Sequence, residues 1–335
     1  MSLDLPFIWA GLIAFAVLAY VVLDGFDLGV GILFPLVRGE ALRDEMMNAV
    51  APVWDGNETW LVLGGGGLLA VFPIAYSVIM PALYAPIIAM LLALIFRGVA
   101  FEYRWKTVRG QFLWDWAFAG GSTLAAFAQG VALGALVHGI PVANDAYSGG
   151  AWDWLTPFSL MTGVSLVIGY ALLGATWLIY KTEAVLQALA FRFSEIAAVA
   201  MLGCIAIVSA WTPMLHAAYF VRWTGWPQIA YTAPVPILVA ALAALLFRGL
   251  RAKAEVLPFL ASLGLFVLCY IGIAISFYPY IVPTSVTIWE AAAPDSSLAF
   301  LLVGASVLLP MILLYSAYSY WIFRGKVNAH AGGYH

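Results

Sequence analysis

Charged side chains are scarce in this 335-residue chain: Asp, Glu, Lys and Arg make up 9% of it, whereas hydrophobic residues make up 64%. A soluble domain carries roughly 25% charged residues, so too few polar side chains are present to cover a core of this size. This shortage excludes a soluble enzyme, a nucleic-acid-binding protein and a disordered chain, and it indicates a polytopic membrane protein. The net charge of −3 says little, because the distribution of charge across a membrane matters more than its sum.

Histidine and cysteine are also rare, and their positions argue against a metal site. The two cysteines lie within apolar stretches, where a free thiol packs as a small hydrophobic group. Haem iron is most often held by histidine. His138 and His216 lie near the ends of apolar stretches, and His330 and His335 lie in the C-terminal tail. We therefore expect this chain to ligate no metal and no haem.

Nine stretches are long and apolar enough to form transmembrane helices, each of which needs about 20 residues. They are residues 7–36, 52–72, 77–97, 114–137, 157–180, 193–215, 230–247, 256–280 and 298–323. The second stretch is the most polar, because its first third contains Asp55, Asn57 and Glu58.

The distribution of Lys and Arg predicts how these spans are oriented. With the N-terminus outside, every Lys and Arg except Arg222 falls on the cytoplasmic side, and Arg97, the last residue of the third span, is counted with that cytoplasmic group. Cytoplasmic loops are enriched in basic residues, and one missed or surplus span would scramble this bias. The sequence therefore predicts an all-α integral membrane protein with nine transmembrane helices, a periplasmic N-terminus and a cytoplasmic C-terminus.

A faint internal repeat suggests two similar halves. Pro-Phe opens the first span at Pro6 and the fifth at Pro157, and Phe-Arg-Gly ends the third at Arg97 and the seventh at Arg248. The alternative is that proline merely starts helices and Arg-Gly ends them at the cytoplasmic face. The duplication predicts two four-helix bundles and one peripheral helix within a single transmembrane domain. Their predicted bounds are 1–335 for the domain, about 1–140 and 157–283 for the bundles, and about 298–323 for the ninth helix.

The acidic residues inside the spans are the strongest indication of function. A charge in a span costs about 2.5–3.5 kcal/mol on insertion scales and marks function by default. Asp24 and Asp27 lie in the first span, and Asp55 and Glu58 open the second. Because positions three apart share a helix face, adjacent antiparallel spans would align these carboxyl groups as a ladder from the cytoplasm towards mid-membrane. Such a ladder could conduct protons; alternatively, the carboxyl groups are structural and hydrogen-bond to neighbours such as Asn57.

Glycines accompany these acids. Gly25 and Gly29 are spaced four apart in the first span, and residues 64–67 of the second are four consecutive glycines. Small residues at this spacing let helices approach closely in lipid. Close packing is one interpretation, and a passage for a small gas molecule is the other.

These segments resemble subunit II of the bacterial cytochrome bd-type quinol oxidases, and the resemblance extends over the whole chain. The segments that carry it are Gly25–Gly31, Pro52–Trp60, Phe96–Gly98, Phe101–Arg104, Thr287–Ala291 and Leu313–Tyr318. The small loop between the sixth and seventh spans is more similar to the cyanide-insensitive branch. Asp24, Asp27 and Asp55 match acidic positions of the family motif, Trp60 matches its final tryptophan, and Glu58 lies where members often carry Gln.

The resemblance implies a respiratory terminal oxidase in the bacterial cytoplasmic (inner) membrane. Such a complex oxidises quinol at the outer side and reduces O2 to water with cytoplasmic protons, without pumping. Haems b and d and the quinol-oxidising loop are expected on the partner, subunit I. This chain is expected to be haem-free and to form the second half of a heterodimer that lies in membrane lipid. In this family a structural quinone can lie in subunit II, and a small single-helix subunit often accompanies the pair.

The candidate site residues follow from the acids, the glycines and the resemblance. The proton-pathway candidates are Asp24, Asp27, Asp55 and Glu58, and the candidates for a subunit interface or O2 route are Trp54, Trp60, Gly25 and Gly29. No catalytic residue and no metal ligand is predicted. The alternative function is a proton-coupled secondary transporter, but such proteins usually have broken helices in corresponding positions of two halves. Here the positions 151 residues after Asp24, Asp27 and Asp55 are Ala175, Leu178 and Ala206.

Overall fold

The computed structural model describes residues 3–107 and 109–327, and this part of the chain is almost entirely helical. The helices are α1 (Leu5–Leu33), α2 (Glu40–Asn48), α3 (Trp54–Val71), α4 (Pro73–Ala82), α5 (Tyr84–Arg104), α6 (Gln111–His138), α7 (Pro157–Lys181), α8 (Ala184–Leu215), α9 (Ala217–Thr224), α10 (Ile229–Thr232), α11 (Pro234–Arg251), α12 (Leu257–Phe277), α13 (Ile288–Ala291) and α14 (Asp295–Ile322). A 3-10 turn, Phe34–Leu36, extends α1. Two antiparallel hairpins lie in loops: β1 (Val142–Ala143) pairs with β2 (Ala146–Tyr147), and β3 (Tyr280–Val282) pairs with β4 (Val286–Thr287).

Eight helical segments within residues 3–107 and 109–327 are long and apolar enough to cross a membrane. They confirm that the protein is an all-helical membrane protein, and they correspond to eight of the nine predicted spans. The predicted second span forms α3, which is 18 residues long and has polar side chains in its first turns. The count of nine, the two-bundle division and the orientation of the termini stay predictions.

The third predicted span differs from the structure in shape and length. The segment 77–97 is divided between α4 and α5, which meet at Leu83 between Pro81 and Pro86. Proline interrupts the helical hydrogen-bond pattern and so favours a break at this point. Furthermore, α5 continues to Arg104, so the placement of Arg97 at the cytoplasmic end of the span was wrong: this arginine is a buried residue within α5. Its charge is accommodated there because carboxylate groups from α1 and α3 surround it.

Local signals fix where several helices begin. Asp4 precedes α1, and its Oδ1 accepts a hydrogen bond from the backbone N–H of Phe7 at 3.1 Å. Thr156 and Ser159 form a reciprocal capping box at the start of α7, with Pro157 in the first helical position. Both arrangements satisfy backbone N–H groups that have no partner within the first turn.

The charged side chains near the ends of α5 and α6 form a separate network. Arg104 donates to Asp44 at 2.6 Å and to Asp115 at 2.7 Å, and Arg43 donates to the other oxygen of Asp115 at 2.9 Å. Arg104 is buried, so these pairs join α2, α5 and α6 at one end of the structure. This network does not include any of the predicted site residues.

The last helix, α14, lies at the periphery and is held mainly near its ends. Trp9 on α1 donates to the carbonyl oxygen of Leu298 at 3.0 Å. At the other end, Lys181 donates to the carbonyl oxygens of Phe323 and Gly325 at 2.5 and 2.6 Å. Most of α14 is otherwise exposed in this chain, which is consistent with its predicted peripheral position.

The segment after α14 is fixed by a short polar network. Lys326 forms an ion pair with Glu255 at 3.0 Å, and Gln187 donates to the same carboxylate at 2.9 Å. These hydrogen bonds from Gln187 and Lys326 lower the pKa of Glu255 from its ordinary value. The network therefore connects the end of the described chain to the loop before α12.

Candidate functional site

A buried arginine lies between α1, α3 and α5 and gathers three of the four predicted acids. Arg97 Nη2 lies 2.7 Å from Asp24 Oδ1 and 3.9 Å from Asp27 Oδ2, and Arg97 Nη1 lies 3.3 Å from Glu58 Oε2. Asp24 and Asp27 are one turn apart on α1 and therefore both face α5. The planar guanidinium can donate to several carboxylates at once. We call Arg97, Asp24, Asp27 and Glu58 the Arg97 cluster.

The Arg97 cluster is enclosed on all but one side. The side chain of Arg97 is 0% exposed, and those of Asp24 and Asp27 are almost equally buried, whereas that of Glu58 is 27% exposed. Asp55, the fourth predicted acid, is exposed in the first turn of α3. The structure therefore brings Asp24, Asp27 and Glu58 together and leaves Asp55 on the surface of the chain, one helical turn from Glu58.

An amide connects the Arg97 cluster to the peripheral helix. Asn57 Nδ2 donates to Asp27 Oδ2 at 2.7 Å and also lies 3.3 Å from the carbonyl oxygen of Leu23. On its other side, Asn57 Oδ1 accepts a hydrogen bond from the Tyr320 hydroxyl at 2.8 Å. The hydrogen-bonded chain Tyr320, Asn57, Asp27 thus leads from α14 to the guanidinium.

Two aromatic rings cover the arginine. Trp54 and Phe101 stack with ring centroids 4.8 Å apart and an interplanar angle of 6°. The Arg97 Cζ lies 5.4 Å from the centroid of Trp54 and 5.7 Å from that of Phe101. Cation–π contacts of this kind stabilise a desolvated guanidinium. Trp54 is therefore a contact of the Arg97 cluster within this chain.

Several buried polar atoms around the Arg97 cluster make no hydrogen bond within the described part of the chain. They are Tyr20 Oη, Asp24 Oδ2, Asp27 Oδ1 and Arg97 Nε. Buried polar groups are normally paired with protein or with ordered water. These four atoms therefore keep hydrogen-bonding capacity that the described side chains do not use.

The other predicted aromatic, Trp60, lies in a small cluster next to the acids. It is buried with Ala16, Ala19 and Tyr20 of α1, and its ring contacts Phe15 edge-on with centroids 5.8 Å apart. Trp60 is thus packed inside this chain, against the same helix that carries Asp24 and Asp27.

An apolar cleft adjoins this aromatic cluster. It has a volume of about 290 Å³ and lies between α1, α3 and α14. Small residues leave the space open, among them Gly66, Gly67, Gly304 and Ala305. Ala16 borders both the cleft and the cluster that contains Trp60 and Tyr20, so the two adjoin.

The two predicted glycines of α1 form its crossing with α7. A Cβ atom on Gly25 would lie 2.7 Å from Tyr170 Cε1, and one on Gly29 would lie 1.8 Å from the Tyr170 carbonyl oxygen. A Cβ atom on Gly174 of α7 would in turn lie 2.3 Å from the carbonyl carbon of Gly29. Close helix packing explains both glycines within the described chain, and the α1–α7 crossing in turn fixes the face of α1 that carries Asp24 and Asp27.

We expect Gly29→Ala to destabilise the protein by about 3 kcal/mol, the upper part of the range for overpacking, because backbone atoms block the new methyl group. The measurement is the midpoint of thermal denaturation in detergent, followed by size-exclusion chromatography. Gly11→Ala is the matched control on the same helix, since nothing lies within 4 Å of its Cβ position. Equal midpoints for the two variants would contradict the assigned crossing.

His138, His216 and the two cysteines make none of the contacts described above for the Arg97 cluster. His216 Nε2 lies 2.8 Å from the carbonyl oxygen of His138, and Cys204 and Cys269 are not bonded to each other. Residues 3–107 and 109–327 contain no group of three or more His, Cys, Asp or Glu that could hold a metal ion. His330 and His335 lie outside the described residues.

Sequence reasoning missed Arg97 and Tyr320 as members of the site, whereas Asn57 was named as a possible hydrogen-bond partner of the carboxyl groups. One signal could have found the arginine: two carboxylates in the middle of a span need a buried cation, and Arg97 lies at the edge of the apolar stretch 77–97. No comparable signal identifies Tyr320, because it is separated from Asn57 by 263 residues along the chain.

Comparison with known proteins gives a consistent result. Residues 5–323 match the family described as cytochrome bd terminal oxidase subunit II. Cytochrome bd-I ubiquinol oxidase subunit 2 of Escherichia coli (strain K12) is 32% identical over 97% of this chain and 95% of its own length. Cytochrome bd ubiquinol oxidase subunit 2 of Bacillus subtilis is 29% identical over 96% of each chain. The fold resembles a chain of the bd oxidase from Geobacillus thermodenitrificans, with a TM-score of 0.70 and 16% identity over 96% of this chain and 99% of that one.

Proposed function

Since the chain belongs to the cytochrome bd terminal oxidase subunit II family, we propose that it is the haem-free subunit of a heterodimeric quinol oxidase that reduces O2 to water. Its partner, subunit I, would hold haems b and d and oxidise the quinol. The family match over residues 5–323 is the observation that carries this proposal. It also accounts for the multi-pass inner-membrane location and disfavours the secondary transporter.

Within this complex, we propose that the Arg97 cluster serves the proton route from the cytoplasm. Three carboxyl groups share one guanidinium, so full ionisation would place a net charge of −2 in a region of low dielectric. Like charges this close disfavour simultaneous ionisation, and the cluster therefore holds a proton readily. Glu58 and the surface carboxyl of Asp55 lie on the open side, from which protons would reach the buried acids.

The apolar cleft is a candidate binding site for a structural quinone. Its lining is formed by Trp9 and by aliphatic and small residues of α1, α3 and α14, which would suit an isoprenoid tail. We propose the cleft as the site of such a molecule, with this chain's residues supplying apolar contacts only. The exposed face of α14 would contact subunit I, lipid or a small single-helix subunit.

Copurification with a haem-containing partner tests the proposed function. The chain and its genomic partner subunit are coexpressed, and we expect a complex whose visible spectrum contains haem b and haem d bands and which consumes O2 with a reduced quinol. The haem-bearing partner alone should not show native turnover. Isolation of this chain as a stable monomer beside a fully active partner would contradict the proposal.

The histidine positions give a second expected result in the same complex. His138→Ala and His216→Ala should leave every haem band unchanged, because neither histidine lies in the middle of a span: His138 ends α6 and His216 directly follows α8. The measurement is the reduced-minus-oxidised spectrum of each purified variant. Loss of one haem band would show that this chain supplies an axial ligand.

A further inference from the structure

Tyr320 is the residue through which α14 reaches the Arg97 cluster. Its hydroxyl donates to Asn57 Oδ1 at 2.8 Å. Its ring is held edge-on against Phe26 and Trp177, with centroid distances of 6.4 Å in both cases. The hydroxyl therefore has a fixed position relative to α1 and α3, although most of α14 is exposed.

The Asn57 amide has one orientation that suits all its neighbours. Its nitrogen faces two acceptors, Asp27 Oδ2 at 2.7 Å and the Leu23 carbonyl oxygen at 3.3 Å, and its oxygen faces the Tyr320 hydroxyl. A reversed amide would place its oxygen against the Leu23 carbonyl oxygen, and it would need a protonated Asp27 as donor. Because Asn57 is 2% exposed, water does not readily compensate for such a mismatch.

We propose that Tyr320 is a positioning residue for Asp27: its hydroxyl donates to Asn57 Oδ1 and so holds the Asn57 side chain in the place from which its amide nitrogen donates to the Asp27 carboxylate. This inference rests on the proposed proton route. The hydrogen bond from Asn57 stabilises the ionised form of Asp27. The packing of α14 against α1 and α3 therefore affects how readily Asp27 releases its proton.

Tyr320→Phe tests this role, because it removes the hydroxyl and keeps the ring contacts. Without a donor at Oδ1, the Asn57 side chain is held less firmly, and Asp27 loses part of a stabilising hydrogen bond. We expect turnover to fall about threefold to tenfold, the equivalent of one hydrogen bond. A step that needs Asp27 to release its proton would then require a higher pH, so the pH–activity profile should move to higher pH. Haem content should not change.

Two further variants separate a positioning role from a structural one. Tyr231→Phe removes a hydroxyl from an exposed tyrosine of α10, away from α14, and should match the wild type in turnover and profile. The double variant Asp27→Asn with Tyr320→Phe should be no slower than Asp27→Asn alone, because Tyr320 acts through Asp27. O2 consumption by the purified complex with reduced quinol is the measurement throughout.

The outcomes distinguish a failure of this inference from a failure of the proposed proton route on which it depends. If Asp27→Asn is slow but Tyr320→Phe has wild-type turnover and profile, the inference fails and the proton route stands. If Tyr320→Phe is slow with an unchanged profile, or its effect adds fully to that of Asp27→Asn, Tyr320 is only structural and the inference also fails. If Asp27→Asn itself has wild-type turnover, the proton route fails and the inference falls with it.

Discussion

Arg97→Leu should nearly abolish accumulation of the assembled protein in the membrane. The substitution leaves Asp24 and Asp27 buried without the guanidinium that lies 2.7 Å and 3.9 Å from them. Removing one partner of a buried ion pair costs about 3–5 kcal/mol, a large fraction of the roughly 5–15 kcal/mol that stabilises a typical domain. The measurement is the yield of complex from detergent-solubilised membranes, together with its thermal denaturation midpoint.

The control and the rescue both test the charge argument. Arg192→Leu removes an exposed arginine of α8 and should leave the yield almost unchanged. Combining Arg97→Leu with Asp24→Asn should recover part of the lost stability, because the closest carboxylate no longer lacks a counter-charge. A wild-type yield for Arg97→Leu alone would mean that the two aspartates do not depend on this ion pair.

Arg97 also shows where hydropathy reasoning reaches its limit. An arginine at the edge of an apolar stretch is ordinarily assigned to the cytoplasmic loop. In the structure it belongs to α5, and its acceptors lie on α1 and α3. A hydropathy profile evaluates each residue by itself, whereas the energy of a buried charge depends on partners that are distant in sequence. The span boundary was therefore misplaced by the length of about two helical turns.

The grouping of the acids was more predictable than their partners. Spacing along α1 places Asp24 and Asp27 on one face, and consecutive antiparallel spans are usually neighbours, so the approach of Glu58 follows from local rules. The Tyr320 contact depends on where the peripheral helix packs, which no periodic pattern encodes. Likewise, the glycines of α1 indicate a close helix crossing, but only the structure identifies α7 as the helix that they approach.

The proton route makes its sharpest prediction at Asp27 and Asp55. Asp27→Asn retains the size of the side chain and one acceptor oxygen but removes the titratable proton. We expect O2 consumption to fall severalfold or more, with unchanged haem content. Asp55→Asn should have the same effect if the surface carboxyl passes protons to the Arg97 cluster through Glu58. Asp145→Asn, an exposed acid in the turn between β1 and β2, is the matched control and should behave as the wild type.

The double variant decides whether the two aspartates act on one route. Groups that act in series on a single step show strongly non-additive losses, so Asp27→Asn with Asp55→Asn should be little slower than either single variant. A structural role predicts a different pattern, because the amide introduced by Asp55→Asn would still hydrogen-bond at the helix start, whereas Asp55→Leu would impair assembly. Wild-type turnover of a fully assembled Asp55→Asn complex would therefore remove Asp55 from the route. If turnover of Asp27→Asn is nevertheless low in the same series, protons must reach Asp27 through the carboxyl of Glu58, which is 27% exposed, without passing Asp55.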